Sequence, residues 1–446
     1  MTDISSINSE KFSISVIGLG RIGIPISLAF SQKGIKVYGF DNDEKWIEEL
    51  SKGNLFLFEK GFENIYRKVL NKTFIPLKFS RENFHYIENS LYILITVGIH
   101  INNNGKVEKD ILFSLIDNIV QYIKNKTIIL RTTVPIGFTR ELKNYIEEKY
   151  KLKEGKDFYL TFVPERLVEG NGIEEEEKLP KIIGGFSNEG IERTKQLFNI
   201  FNSKILVASS PETAEFIKLI DNSFRNLLFN FSNELALLAN RLNIDIVEAI
   251  SLAKTDYQRN SMLAFPGPVS GYCLSKDPLI LDLNFKEVFG KDYNSLNFFA
   301  RKINDKYLDE IIKIIKNKKY KKIAVLGLSF KKDVDDFRYS HSLELIKKLL
   351  NEINEIDKVL IHDIFLNKNR YTNYNLFFSQ FSNKVKSLEK LEELEKENVD
   401  VIILSTPHSF YIENYNKLDI DCLIIDLYYA FYGIRNKFKR AKVIFI

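Results

Sequence analysis

The chain has 446 residues, 45% of them apolar, and a formal net charge of +5. That length allows about three domain-sized units, and the small charge, without a basic block, gives nucleic acid no footing. Only two cysteines, Cys273 and Cys422, occur and the five histidines are scattered, so neither a disulfide framework nor a metal site is expected.

The polar segment 1–11 has no apolar stretch of the kind a signal peptide needs. No apolar run in the chain approaches the ~18 residues of a membrane span. A soluble, cytoplasmic protein is expected, with no membrane or nucleic-acid partner.

Residues 12–40 read strand, glycine turn, helix, strand. Residues 12–17 are apolar and β-branched, 25–32 are helical in pattern, Gly34 fits just past that helix, and 37–40 form the second strand. The turn between them is GLGRIG, with Gly18, Gly20, Arg21, Ile22 and Gly23. Its first glycine permits a tight turn, its second lets backbone approach a pyrophosphate, and its third lets helix and strand pack closely. Asp41 ends the second strand, where a carboxylate accepts from ribose hydroxyls and repels a 2′-phosphate. NAD is therefore expected rather than NADP.

Further buried strands are predicted at 92–96, 127–130, 158–163 and 181–184, with helical periodicity between several of them. Such alternation implies a parallel sheet with helices on both faces. Thr96 and Thr133 follow strand ends, where open α/β sheets bind ligands, and both are assigned to the nicotinamide side. The acidic run Glu174 to Glu177 reads as a solvated loop or helix start.

From Pro211 to about Arg241 the helical period continues unbroken, a span of about 45 Å at 1.5 Å per residue. Lys218, Asn222 and Arg225 fall at i, i+4 and i+7 and share one stripe of it. More helical sequence follows to about Ala253. The segment 265–278, FPGPVSGYCLSKDP, then interrupts it. By itself Cys273 reads as a small buried hydrophobe. Crowded by Gly267, Gly271, Pro266 and Pro268, and followed four residues later by Asp277, it reads instead as the thiol of an exposed active-site loop. A second α/β pattern starts at Lys321, with strands at 321–328, 359–362, 399–405 and 422–426 and a helix at 340–350. It lacks a GxGxxG, so it need not bind a dinucleotide. The fold class is α/β, two Rossmann-like doubly wound domains joined by a long central helix. The divisions fall at 1–205, 206–315 and 316–446.

Six segments in order resemble the UDP-glucose/UDP-N-acetylmannosamine dehydrogenase family: GLGRIG, RTTVPIGFT at 131–139, VPERLVEGN at 163–171, AEFIKLIDN at 214–222, GYCLSKDP at 271–278 and GLSFKKDVDDFRYS at 327–340. The resemblance implies NAD on the first domain, the UDP moiety on the last and a long helix that makes a dimer or higher homo-oligomer. It implies a primary alcohol oxidised twice, with the aldehyde trapped by Cys273 as a thiohemiacetal, a thioester formed next, and hydrolysis to the uronate. Lys218 is then the general acid/base group and Asn222 its partner on the same oxygen. Thr133 and Glu165 match positions that hold or polarise the hydrolytic water, with Asp277 the other candidate base. Arg225, Tyr257 and Gly267 fall on the substrate side. Lys331 and Arg338 match the positions that meet the diphosphate and sugar, and Arg259 matches an arginine that reaches the partner subunit's substrate.

Pro164-Glu165-Arg166 points to the sugar. Family members acting on 2-acetamido sugars carry Arg after Pro-Glu, and Arg166 with Leu167 is expected to accommodate the acetamido group. UDP-N-acetyl-D-mannosamine is favoured, with UDP-N-acetylglucosamine and UDP-glucose as alternatives. The chain departs from the family at Ser270-Gly271-Tyr272-Cys273, where GGHC is common, at Val97-Gly98-Ile99-His100 and at Glu59-Lys60-Gly61-Phe62. A two-electron β-hydroxyacid dehydrogenase shares the glycine turn and a Lys-x-x-x-Asn helix but needs neither Cys273 nor Lys331 and Arg338. A sugar-nucleotide sensor without turnover is the non-enzymatic rival.

Overall fold

A computed structural model describes residues 12–55, 57, 59, 61–102, 105–366 and 383–446. The polar segment 1–11 and Lys60 lie outside these residues. Two compact units are present, Met1–Asp221 and Asn222–Ile446.

The first unit is built on eight strands: β1 (Ser13–Ile17), β2 (Lys36–Asp41), β3 (Phe74–Lys78), β4 (Tyr92–Ile95), β5 (Thr127–Leu130), β6 (Tyr159–Phe162), β7 (Lys181–Gly185) and β8 (Ile205–Val207). Their order is β3-β2-β1-β4-β5-β6-β7-β8. The central strands are short and β-branched, and β4, β5 and β6 are buried along their whole length, as expected for a sheet covered on both faces. Neighbours run parallel except β6 and β7, which are antiparallel. This reversal corrects the wholly parallel reading of the sequence.

The second unit repeats the plan with β9 (Lys322–Leu326), β10 (Lys358–His362), β11 (Val385–Ser387), β12 (Val401–Leu404), β13 (Leu423–Asp426) and β14 (Lys442–Phe445). Their order is β11-β10-β9-β12-β13-β14 and every pairing is parallel. Both sheets thus reverse strand order beside their first strand, the switch point at which open α/β sheets bind ligands. The strands invisible to pattern reading were β3, β8, β11 and β14. All four end their sheets, and β8 and β11 are short and largely exposed, so no continuous apolar run marks them.

The helix Pro211–Leu242 has 32 residues and contributes to both units. Among the described residues no helix is long and apolar enough to cross a membrane. The acidic run lies on a short helix, Gly172–Lys178. It is not simply solvated: Glu176 is fully buried, with Arg131 and Lys181 as partners, and Glu175 accepts the Val168 N–H. The sheet end above it supplies two buried cations that an exposed carboxylate could not neutralise.

Within the first unit the long helix also finishes another helix. Phe138–Tyr150 starts after Gly137 and has no side-chain cap of its own. Glu215, fully buried, accepts the Gly137 N–H at 2.6 Å, the Thr139 N–H at 2.7 Å and the Thr139 hydroxyl at 2.5 Å. These donors are helix-start groups that otherwise lack partners. Glu215→Ala strands them in a buried site, and we expect it to lower the unfolding free energy by about 1–3 kcal/mol in urea titrations. Unchanged stability would refute this capping role.

Candidate functional site

The cofactor turn follows β1 and lies beside the end of β4. The Gly18 N–H donates to the Phe40 carbonyl at 2.8 Å. The Thr96 hydroxyl donates to the Gly18 carbonyl at 2.6 Å, so Thr96 supports the turn directly. A Cβ on Gly23 would collide with the Gly18 carbonyl oxygen and with Thr96 Oγ1, so only glycine closes this crossing. The helix Gly23–Gln32 starts there and aims its N-terminus at the space a diphosphate needs. Asp41 Oδ2 accepts the Leu19 N–H at 2.9 Å and Oδ1 accepts the Asp43 N–H at 3.0 Å. Its carboxylate is half-buried, and two acceptors retain capacity for ribose hydroxyls. Turn, helix start and carboxylate fit a dinucleotide. The Arg21 side chain turns toward Glu169, 3.6 Å away, in a small pocket shared with Glu59 and Gly170. Burial pushes the Glu59 carboxyl up to about 7, against the backbone donors of Gly172 and Gly170.

The second unit uses the same turn construction for a different end. The Gly327 N–H donates to the His362 carbonyl at 2.9 Å, and the Thr406 hydroxyl donates to the Ser329 carbonyl at 2.5 Å. Asp363 stands where Asp41 does, but is buried and filled. It accepts the Leu328 N–H at 2.6 Å, the Ser329 N–H at 3.1 Å, the Phe365 N–H at 2.8 Å and a hydrogen bond of 3.0 Å with His408 Nε2. Burial opposes its charge, yet the His408 bond and the backbone donors hold it below the usual carboxylate range. Unlike Asp41, this carboxylate is nearly inaccessible, so it serves the turn itself.

In the first unit Glu165 and Lys218 are both nearly inaccessible and lie 3.6 Å apart. Glu165 Oε1 accepts the Leu167 N–H. Arg166 Nε donates to Asp221 at 2.7 Å, one turn along the helix from Lys218. Thr133 is half-buried just beyond β5.

In the second unit the Asn222 amide donates to Asp277 Oδ2 at 2.5 Å, and Arg225 donates to Asn222 Oδ1. Asp277 is fully buried, with the Lys276 ammonium 3.4 Å from Oδ1. Cys273 is not in a loop, as the sequence had indicated. It is the second residue of the helix Tyr272–Phe289, one turn before Asp277, and is half-buried. Pro278 lies seven residues into that helix, past its first turn, so the helix gives up one backbone hydrogen bond there. Gly271, the preceding residue, has φ +92, and a Cβ there would enter the Phe330 ring. Glycine is therefore what permits the helix to begin at this point. The helix start favours negative charge on a sulfur placed there. Cys422, by contrast, is pushed up to about 12 by burial and then by Asp421, which leaves it a protonated thiol.

The segment before Cys273 is strapped by residues that sequence reading missed. Asn233 donates to the Gly267 carbonyl at 3.0 Å and accepts its N–H at 2.8 Å. Asn304 brackets Val269 in the same way, at 3.0 and 2.8 Å, and the Tyr428 hydroxyl donates to the Pro268 carbonyl at 2.7 Å. Gly267 is packed against the Tyr428 ring. His341 Nε2 faces the Ser405 carbonyl at 2.8 Å and so carries the proton there; Nδ1 accepts from Ser270 Oγ at 2.7 Å. Burial pushes His341 down to about 4, which keeps it neutral. A signal existed for one of these residues, Asn233, and for the capping Glu215. Glu215 lies three residues before Lys218 on the same helical stripe, and Asn222, Asn226, Asn230 and Asn233 repeat at helical spacing.

Tyr272, the departure next to the nucleophile, lies between cations. Lys276 Nζ is 4.8 Å and the Arg338 guanidinium 5.0 Å from its ring centre. Arg338 is aimed by Asp336, to which its Nη2 donates at 2.6 Å and its Nε at 3.0 Å. Lys331 is exposed in the turn after β9, and Tyr257 and Arg259 are exposed with the guanidinium 5.9 Å from the Tyr257 ring. Among the described residues no group of His, Cys, Asp or Glu could hold a metal ion.

Three family models cover most of the chain. Residues 12–202 match the NAD binding domain of the UDP-glucose/GDP-mannose dehydrogenase family, 212–306 its central domain and 324–431 its UDP binding domain. The UDP-N-acetyl-D-mannosamine dehydrogenase of Campylobacter jejuni is 30% identical over 353 residues, 76% of this chain and 84% of that protein. The one from Pyrococcus horikoshii is also 30% identical, over 77% of this chain and 82% of its own length. The solved UDP-D-ManNAc dehydrogenase of Pyrococcus horikoshii matches with a TM-score of 0.81 at 25% identity, covering 97% of this chain and 99% of that one. The NDP-N-acetyl-D-galactosaminuronic acid dehydrogenase of Methanosarcina mazei matches at 0.74 and 25%, covering 98% and 95%.

Gly23→Ala places a methyl group against the Gly18 carbonyl and spreads the turn. We expect NAD affinity to fall at least about tenfold, which corresponds to roughly 1.4 kcal/mol, in calorimetric titration. Wild-type affinity in this variant would remove the turn from the cofactor site.

Proposed function

We propose, because the chain belongs to the UDP-glucose/GDP-mannose dehydrogenase family, that it oxidises the C6 hydroxymethyl of a UDP-2-acetamido-hexose to the uronate. The enzyme is an NAD-dependent UDP-sugar dehydrogenase, and UDP-N-acetyl-D-mannosamine is its favoured substrate. In this reading residues 1–205 hold NAD, 206–315 carry the connector and nucleophile, and 316–446 hold the UDP moiety.

The observation that carries the mechanism is the pairing of Cys273 and Asp277 one turn apart on a single helix, with Asn222 holding the carboxylate. Bound NAD supplies the hydride acceptor for both oxidations. Lys218 takes the hydroxyl proton and then, protonated, stabilises the oxygen as charge develops on it. Asn222 donates to the same oxygen. Cys273 Sγ adds to the aldehyde carbon to form a thiohemiacetal, whose oxidation leaves a thioester. Water, activated by Glu165 or Asp277 and steadied by Thr133, attacks the thioester carbonyl. The C–S bond breaks, the uronate leaves and the thiolate returns.

Lys331 and Arg338 meet the UDP diphosphate and the sugar, and Arg338 arrives already oriented by Asp336 and Tyr272. Arg166 and Leu167 shape the pocket for the acetamido group, and Arg225, Tyr257 and Gly267 complete it. Two cysteines outside any disulfide suit a reducing, cytoplasmic setting.

The functional unit is a homodimer or a higher assembly of this chain. On the long helix Phe224, Phe231, Leu238 and Leu242 are all exposed, and their spacing of seven, seven and four forms a seam suited to a second helix. Arg259 then serves the partner's substrate.

The reading predicts two NADH per uronate from UDP-N-acetyl-D-mannosamine, measured by absorbance and product mass. Cys273→Ala should lose about 10³-fold or more in turnover. One NADH per product, or full turnover without the thiol, would overturn the mechanism. Vigorous oxidation of UDP-glucose alone would overturn the acetamido reading. Phe231→Glu with Leu238→Glu should shift the protein to monomers in sedimentation analysis; an unchanged mass would exclude this seam.

A further inference from the structure

Five buried charged groups of the first unit alternate in sign: Lys218, Glu165, Lys181, Glu176 and Arg131. Glu176 Oε2 lies 2.7 Å from Arg131 Nη2 and 3.2 Å from Lys181 Nζ. Lys181 Nζ also donates to the Glu176 carbonyl. The Phe198 ring lies 5.4 Å from the Arg131 guanidinium, and the Phe201 ring 5.8 Å from Lys181 Nζ, so aromatic rings rather than water close the group. Two cations on one carboxylate leave an excess positive charge, and buried charge of that kind requires a further counter-ion.

Strand register identifies that counter-ion. β6 and β7 pair antiparallel, with Thr161 opposite Gly185 and Phe162 opposite Gly184. The ladder ends there, and its register run on by three residues leads Glu165 toward Lys181. Arg131 follows β5, whose Leu130 carbonyl accepts the Val163 N–H at 2.9 Å, so it leaves the sheet beside the same segment. Burial lowers the pKa of Lys181, and attraction to Glu176 and then to Glu165 counters it. On its other side Glu165 faces Lys218. The next residue, Arg166, directs its charge to Asp221 instead.

We propose that Arg131, Glu176 and Lys181 are positioning residues: they form a buried charge chain that balances the Glu165 carboxylate and orients it for the hydrolytic step. The inference deepens, and rests on, the assignment of Glu165 to the hydrolytic water. An ionised Glu165 takes the proton of water as the oxygen attacks the thioester carbonyl, and the departing Cys273 sulfur leaves as thiolate. Three cations, Lys218, Lys181 and Arg131, thus stand against two carboxylates, Glu165 and Glu176. The relay therefore favours Glu165 over Asp277 as the base.

Two substitutions test the sign. Lys181→Met removes a cation facing Glu165, and the acid limb of the kcat profile for UDP-sugar oxidation should move up by about one pH unit. Thioester should then accumulate on Cys273 below that limb, as read by intact-protein mass. Lys181→Arg should restore the wild-type limb. Glu176→Gln removes the shared anion, leaves both cations acting on Glu165, and should move the limb down. A purely structural triad loses activity in both variants without opposite shifts, and limbs that stay put or move together overturn the proposal. Infrared titration of the carboxyl band lost in Glu165→Gln reads the same order without turnover. If the wild-type protein forms no NADH, opposite infrared shifts in the two variants sustain the charge chain while removing the dehydrogenase reading.

Discussion

The long helix Pro211–Leu242 buries polar side chains and exposes apolar ones, and much of the site depends on that inversion. Glu215, Lys218, Asn222, Asn226, Asn230 and Asn233 are all nearly inaccessible, while Phe224, Phe231, Leu238 and Leu242 face outward. A buried polar group without a partner costs about 1–3 kcal/mol, so each of these must be matched. Glu215 caps a helix, Lys218 meets Glu165 and Asn222 holds Asp277. Asn226 donates to Asn297 at 3.2 Å, Asn230 donates to Asn226, and Asn233 brackets Gly267. Satisfying the helix and positioning the site are therefore the same set of hydrogen bonds.

The two sheets show how one construction serves two ligands. Each has a strand, a tight glycine turn, a threonine hydroxyl closing it and a carboxylate at the end of the next strand. Asp41 keeps a half-exposed carboxylate, whereas Asp363 spends its acceptors on backbone and His408. The difference lies in what surrounds an otherwise equivalent side chain. It separates an NAD-binding domain from a UDP-binding one.

Electrostatics around Cys273 come from several weak sources acting together. A helix start is worth a fraction of a kcal/mol to about 2 kcal/mol for an anion in a partly buried position. The Lys276 and Arg338 cations are held nearby by the Tyr272 ring, and Arg338 is aimed by Asp336. An imidazole at position 272 would change charge with pH. The tyrosine does not, since burial raises its pKa above the ordinary value. Its role is thus to orient cations.

The sequence alone determined the α/β class, the glycine turn with Asp41 and the long helix, because these depend on short-range geometry. Glycine spacing, helical period and β-branched runs are properties of neighbouring residues. Position in the sequence could not determine that Glu176 is buried while Glu174 pairs at the surface with Lys178. Nor could it show that Cys273 starts a helix, or that Asn233, Asn304, Tyr428 and His341 secure the segment before it. Those facts depend on partners tens to hundreds of residues away. Only tertiary packing decides which polar groups lose water, and that loss is what makes a particular hydrogen bond or ion pair necessary.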